Sequence, residues 1–338
     1  MLKTDTVISA QIKTKLIAFF QQKQKILLSW AFFMTASFAA LGIGAILSSN
    51  ISADNQKPLL PDPQGQVLGE TTQLRGQAEV SAPKAELPAA DTERLKSISA
   101  KSFLVYWQEN GQALVGKNQD ERLPIASLTK LMTALLAYEN LDLSQSVTVD
   151  AQTLTKIRPV VGFVDGDKVR LSDVFDAAIV GSCNDAAQLL ALEVGKATKQ
   201  DPVALMNAKA QQLGMTNTHF SNPLGFDYGE NYSTANDLEK LVNATQNLAA
   251  FSNLGLKTFI KFSGSLKNYY IRATNKLIGK YDGIEAIKTG YTETAQGAMI
   301  TKMTSHGKDL IVIVLGSDNR ELDTLALKKD VIDNLVWN

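Results

Sequence analysis

The chain has 338 residues, with 34 Lys plus Arg against 34 Asp plus Glu and one cysteine, Cys183. A formal net charge of zero gives no basic surface to draw nucleic acid, and one cysteine excludes an internal disulfide. His219 and His306 are the two histidines. Catalytic zinc usually takes three His, Cys or carboxylate ligands, so no metal is expected.

Residues 26–47, ILLSWAFFMTASFAALGIGAIL, carry no charge. At about 1.5 Å per helical residue, such a run spans a hydrocarbon core of about 30 Å. Lys13, Lys15, Lys23 and Lys25 precede it, and Asp54 follows. The positive-inside rule then makes 1–25 a cytoplasmic N-terminus and 26–47 a transmembrane signal-anchor. The rest of the chain is then expected on the outer side of the membrane. A signal peptide cleaved after Ala53 is the competing reading, although the run exceeds the usual h-region of about 7–15 residues. Residues 48–95 mix Pro, Gln, Ala, Gly and scattered charge and read as a flexible linker.

Residues 96–338 have the texture of one folded domain. SFLVYWQENGQALVGKN (102–118) is two β-rich runs around Glu109-Asn110-Gly111, a hairpin signal. Leu128, Leu131, Met132, Leu135 and Leu136 form a helical stripe after Ser127. Residues 172–194 read as another helical region, with Ser172 as N-cap and Ser182 and Asn184 preceding or beginning a helix. Residues 202–213 and 234–249 also read as helical. Strands follow at 283–292, 297–304 and 309–316, and a last helix over about 320–337. Strands at both ends with helices between predict an α+β layer fold: an antiparallel sheet, helices on both faces and a helical subdomain.

Ser127 and Lys130 stand three apart, one face of a helix, so hydroxyl and amine can meet. Serine needs such a base, and lysine serves only with a lowered pKa. Ser-x-x-Lys alone is weak, because SHGK at 305–308 matches it too. In GSCNDAA (181–187), Ser182 can relay a proton, and the Asn184 amide can bond both Lys130 and a substrate carbonyl. SSN (48–50) and SDN (317–319) are rival matches, poorly placed beside the apolar segment and where a strand turns into the last helix. Lys-Thr-Gly at 288–290 lies in a predicted strand. Lys288 can hold Lys130 neutral by its field, Thr289 can bond a carboxylate, and Gly290 admits a substrate backbone.

Taken in this order, the three motifs match the serine β-lactamase and penicillin-binding set. The chain resembles the serine D-alanyl-D-alanine carboxypeptidases, the low-molecular-mass penicillin-binding proteins. The resemblance covers about 97–338 and rests on PIASLTKLMTALLAYE (124–139), VGSCNDAA (180–187), HFSNPLGFDYGENYSTANDL (219–238) and TNKLIGKYDGIEAIKTGYTETA (274–295). It implies a β-lactamase/transpeptidase-like fold with Ser127 as nucleophile, Lys130 as base and Ser182 with Asn184 as relay and substrate holder. It implies that Lys288, Thr289, Gly290 and Tyr291 bind substrate, with the Ser127 and Tyr291 N–H groups as an oxyanion hole. The implied reaction removes the terminal D-alanine of a peptidoglycan stem pentapeptide through an acyl-enzyme, without a cofactor. β-Lactams would be covalent inhibitors. A D,D-endopeptidase and a slowly deacylating penicillin-binding sensor are the alternatives. A β-lactamase is disfavoured, because no separate carboxylate base for the deacylating water is evident.

Four departures from the family pattern stand out. Cys183 fills a position where Gly or Ala is frequent, as a small buried filler. Gln296 stands where glycine is usual. HGKDLIVIVLG (306–316) lacks the Arg that many relatives carry after Lys-Thr-Gly, shifting carboxylate recognition to Thr289 and Lys288. The sequence ends at Asn338 with no counterpart of the relatives' C-terminal anchor, a role the N-terminal segment is expected to take. His219 and His306 are expected to be structural, since neither has an acidic partner by motif.

Overall fold

Ser102–Trp107 (β1) is buried at every residue. Phe103, Val105 and Trp107 pack to one side of it, and Leu104 and Tyr106 to the other. A strand apolar on both faces must lie between two layers. In the computed structural model it does, within an antiparallel sheet of five strands. The described residues are 85–86 and 95–338, without 229, 252, 253, 335 and 338. They fall in one compact unit, 78–338. The expected cytoplasmic N-terminus, the apolar segment 26–47 and most of the linker lie outside the described residues. Among the described residues, no helix is long and apolar enough to cross a membrane.

The expected hairpin forms from β1 and Gln112–Lys117 (β2). Gly111 occupies the left-handed region at φ +69°, the conformation for which an Asn-Gly step is suited. Phe259–Ser263 (β3) and Asn268–Arg272 (β4) make a separate hairpin that the sequence reading did not assign. Its alternation of exposed and buried residues was the available signal. Ile284–Thr292 (β5), Gln296–Ser305 (β6) and Lys308–Ser317 (β7) bear out the three expected strands. The sheet order is β5-β6-β7-β1-β2, which leaves β5, the Lys-Thr-Gly strand, at an edge.

Lys130–Asn140 (α1) is buried from Lys130 through Ala137. A helix apolar nearly all round belongs in a core. The expected helical region at 172–194 holds two helices, Leu171–Val180 (α2) and Asn184–Thr198 (α3). Ser182 breaks it at φ +53°, and the Cys183 N–H closes back on the Ala177 carbonyl at 3.1 Å. Ser172 is not the N-cap, because Arg170 holds that position and Ser172 lies inside the first turn. Pro202–Gln212 (α4) and Ala235–Gln246 (α5) start at capping residues, Asp201 accepting from Ala204 N and Thr234 from Asp237 N. Arg320–Asp330 (α6) is shorter than expected, and a 3-10 turn at Ile332–Asn334 follows it. Val331 and Ile332 are both fully buried, so the chain bends to keep two consecutive apolar side chains inside.

Leu327 of α6, with Val331 and Ile332 just beyond it, covers one face of the sheet together with Ile98. Leu238, Leu241 and Val242 of α5 belong to the core on the other face, which continues into α1, α2 and α3. Helices therefore lie on both faces of the antiparallel sheet, with a helical layer beside it, as expected.

Candidate active site

Ser127 sits in a 3-10 turn, Ala126–Thr129, that leads directly into α1. Ala126 holds φ +46°, a costly conformation for a residue with a Cβ. Glycines on either side permit it. A Cβ at Gly225 would overlap the Ala126 carbonyl, and one at Gly290 would lie 3.0 Å from Ser127 N and 3.1 Å from Ala126 Cβ. Gly290 is thus what lets the edge of β5 approach the serine turn.

Lys130 Nζ donates to Ser127 Oγ at 2.7 Å and to the Leu224 carbonyl at 2.6 Å. The Leu224 carbonyl is fixed by Asn222, whose Oδ1 accepts from the N–H groups of Leu224, Gly225 and Phe226. This is the loop of the SNPLGF stretch, wound around its Asn-Pro step. Lys130 is fully buried, and desolvation brings its pKa from 10.5 down to about 7. Burial, rather than the field of Lys288 that the sequence suggested, is the main cause.

Lys288 is also buried and donates from Nζ to Ser182 Oγ at 2.6 Å and to the Thr289 carbonyl at 2.8 Å. Its pKa is well below the usual lysine value, first through burial, then through the positive fields of Lys130 and Arg320. Ser182, at φ +53°, owes its position to the break between α2 and α3. The Thr289 hydroxyl bonds the Thr274 hydroxyl. Tyr291 is exposed. Neither bond made by Lys130 goes to Asn184. The Asn184 Nδ2 donates instead to the Ile157 carbonyl at 2.9 Å, so the expected Asn184–Lys130 bond is not formed.

The three motifs, 161 residues apart from Ser127 to Lys288, therefore meet as two lysine–serine pairs beside a glycine strand. The rival matches do not. Ser305 and Lys308 flank a hairpin turn on β6 and β7. Ser317 Oγ donates to Asp323 Oδ2, and Asn319 caps α6. SSN at 48–50 is outside the described residues.

The sequence signature of the D-alanyl-D-alanine carboxypeptidases, peptidase family S11, matches residues 88–319. The chain belongs to this family. D-alanyl-D-alanine carboxypeptidase DacF of Bacillus subtilis is 29% identical over 64% of this chain and 57% of its own length. The chain thus spans little more than half of that relative. The D-alanyl-D-alanine endopeptidase of Pseudomonas aeruginosa is 33% identical over 69% of this chain and 74% of its own. Penicillin-binding protein D2 of Listeria monocytogenes, solved in an ampicillin-bound form, superposes with a TM-score of 0.60 at 29% identity. That match covers 70% of this chain and 98% of that one. The fold is that of the penicillin-binding proteins.

Within this family frame, the expected loss of an arginine is corrected. Arg320, the first residue of α6, donates from Nη1 to the Gly290 carbonyl at 2.6 Å. Its side chain returns to the strand from the helix that follows, outside the stretch 306–316. Gln296 holds φ +56° at the β5–β6 turn, a conformation that glycine adopts without strain. Cys183 is 1% exposed, and burial pushes its thiol up to about 12, as a filler requires. His219 pairs backbone groups with Tyr232, and His306 lies in the β6–β7 turn at φ +51°.

Proposed function

We propose that the chain is a serine D-alanyl-D-alanine carboxypeptidase acting on peptidoglycan stem pentapeptides. The observation that carries this reading is the 2.7 Å bond between Ser127 Oγ and a buried amine whose pKa lies near 7. At neutral pH a large share of Lys130 is unprotonated and can accept the hydroxyl proton. Ser127 Oγ attacks the carbonyl carbon of the penultimate D-alanine. The Ser127 and Tyr291 N–H groups hold the oxyanion, a device often worth several kcal/mol. The proton passes by Ser182 and Lys288 to the departing D-alanine nitrogen, the C–N bond breaks, and an ester to Ser127 remains. Water then attacks the ester with Lys130 as base. Thr289 and Arg320 take the terminal carboxylate. Asn184 holds the substrate amide.

Fluorescent-penicillin labelling of wild type beside Ser127→Ala, followed by D-alanine release from a pentapeptide, tests this. Labelling that survives the substitution sinks the assignment. A β-lactam carbonyl presents the same electrophile, so β-lactams act as covalent inhibitors. The Pseudomonas relative's name favours a second reading, cleavage of D,D cross-links by the same residues. Faster release from a cross-linked muropeptide than from pentapeptide would select it. A stable penicilloyl adduct without D-alanine release would instead mean a sensor.

Residues 26–47 serve as the membrane anchor, with the catalytic domain on the outer side of the bacterial cytoplasmic membrane. A linker of 48–95 reaches about 40 Å by random-coil scaling, enough to set the domain off the lipid. If a chain lacking residues 1–50 still fractionates with membranes, the anchor is elsewhere.

A further inference from the structure

The end of the sheet away from Ser127 holds an open groove of about 850 Å³. Trp107 lines it, in a register row that runs through Leu310 and Met303 to Ile284. Ile284 is six residues along β5 from Gly290, roughly 20 Å at strand rise. No group of the proposed reaction reaches it.

Its lining is unusual in chemistry. The primary amides of Gln108, Asn110, Asn243, Gln246 and Asn247 converge there, from the β1–β2 turn and the end of α5. Asn110 Oδ1 already accepts from Gln112 N and Asn243 Oδ1 from Tyr106 Oη, so the donor–acceptor pairs open to a ligand are the uncharged amides of Gln246 and Asn247. Gln108 Oε1 is buried with no hydrogen-bond partner among the described residues. Tyr106 Oη donates to Asn243 Oδ1 at 3.3 Å, which fixes that amide against the sheet. Lys308 Nζ lies 4.1 Å from the Trp107 ring centroid, so an aromatic edge and an aliphatic stem adjoin the amides. Glu109, Glu239 and Asp309 also border the groove and disfavour an anion. Neutral planar amides suit a neutral ligand rich in hydroxyl and amide groups.

We propose that this groove binds an oligosaccharide bearing hydroxyl and acetamido groups. Naming its source as the glycan strand that carries the stem peptide rests on the proposed reaction, while the groove's chemistry does not. Binding there would hold the enzyme on polymeric wall with the active-site end of the sheet left free for peptides.

The test uses the full chain in detergent, wild type beside the double variant Gln246→Ala/Asn247→Ala. Calorimetry with the tetramer of N-acetylglucosamine reads binding. D-Alanine release from intact sacculi and from soluble pentapeptide reads its use, and the penicillin-labelling rate reports that the variant is folded. Wild type should bind the tetramer, and the variant about tenfold more weakly, as the loss of one or two hydrogen bonds implies. Its labelling rate and pentapeptide rate should be unchanged and its sacculus rate lower. No binding by wild type, or equal binding by the variant, overturns the proposal. Weakened binding with an unchanged sacculus rate assigns the groove to free oligosaccharide rather than wall glycan. If wild type binds the tetramer yet releases no D-alanine from either substrate, the reaction fails and the groove stands.

Discussion

Acidification should switch off acylation of Ser127 around pH 7, far below the range of an ordinary lysine. The shift of Lys130 from 10.5 to about 7 corresponds to about 5 kcal/mol of disfavoured protonation, set by complete burial. Half of the amine is then neutral at pH 7 and about one hundredth at pH 5. The second-order rate of penicillin labelling should therefore rise about 100-fold from pH 5 to its plateau. The segment from pH 7 to 9 is the decisive one. There the rate should gain only about twofold, whereas a solvated lysine would still be gaining about tenfold per unit. Stopped-flow labelling at constant ionic strength measures the profile, with Lys130→Ala as the blank. A profile still climbing tenfold per unit through pH 8 would falsify the desolvated base. A profile flat from pH 5 to 9 would remove Lys130 from proton transfer altogether.

The same burial predicts a stability trend. Native Lys130 gives up its proton above about 7, while the unfolded lysine keeps its proton to near 10.5, so the unfolded state binds more protons in that window. Lys130 alone should raise stability to urea by about 2–3 kcal/mol from pH 7 to 9, with Lys288, also held below its usual value, adding to the rise, so Lys130→Met should make the rise smaller without abolishing it. Cys183 opposes it only above pH 9, where an unfolded thiol ionises and the native one, pushed up to about 12, does not. Gly290→Ala places a Cβ 3.0 Å from Ser127 N, so labelling should slow at least tenfold, with about 1–3 kcal/mol lost by overpacking. An unchanged labelling rate would mean that β5 does not set the serine turn. Arg320→Ala should cost about 2–3 kcal/mol in kcat/KM for a substrate ending in a free carboxylate and much less for its amide. Equal losses on both would leave Arg320 a purely structural partner of Gly290. Iodoacetamide should leave native Cys183 untouched and modify it in urea, and modification of the folded chain would contradict its burial.

The sheet was legible because short β-rich runs bounded by turn signals stand at both ends of the domain with helical patterns between them. In the structure Phe103, Val105 and Trp107 join one core and Leu104 and Tyr106 the other, which is why helices cover both faces. Helix ends were less legible. The break at Ser182 follows from a left-handed residue that carries a Cβ, and no composition rule marks a serine for that conformation. Gln296 was noticed only as a departure from glycine, and its φ of +56° is a conformation that glycine adopts without strain. Arg320 was missed for a different cause. Sequence distance to Lys288 says nothing about a side chain returning from the following helix to the Gly290 carbonyl.

These failures fall together, around one small volume. Ala126 and Ser182 are residues with a Cβ in the left-handed region, and they flank the two lysine–serine pairs. A chain that followed local preference at both positions would run the serine turn and the α2–α3 junction straight, and neither hydroxyl would meet its amine. The cost of the two conformations, of order 1–3 kcal/mol each, is carried by the packing of α1 and α3 around them. Replacing Ser182 with glycine separates the two contributions. The backbone cost there would disappear and the hydroxyl with it, so the variant should keep or gain stability while losing turnover. A loss of both together would mean that the Lys288–Ser182 bond, and not the surrounding core, holds the junction in place.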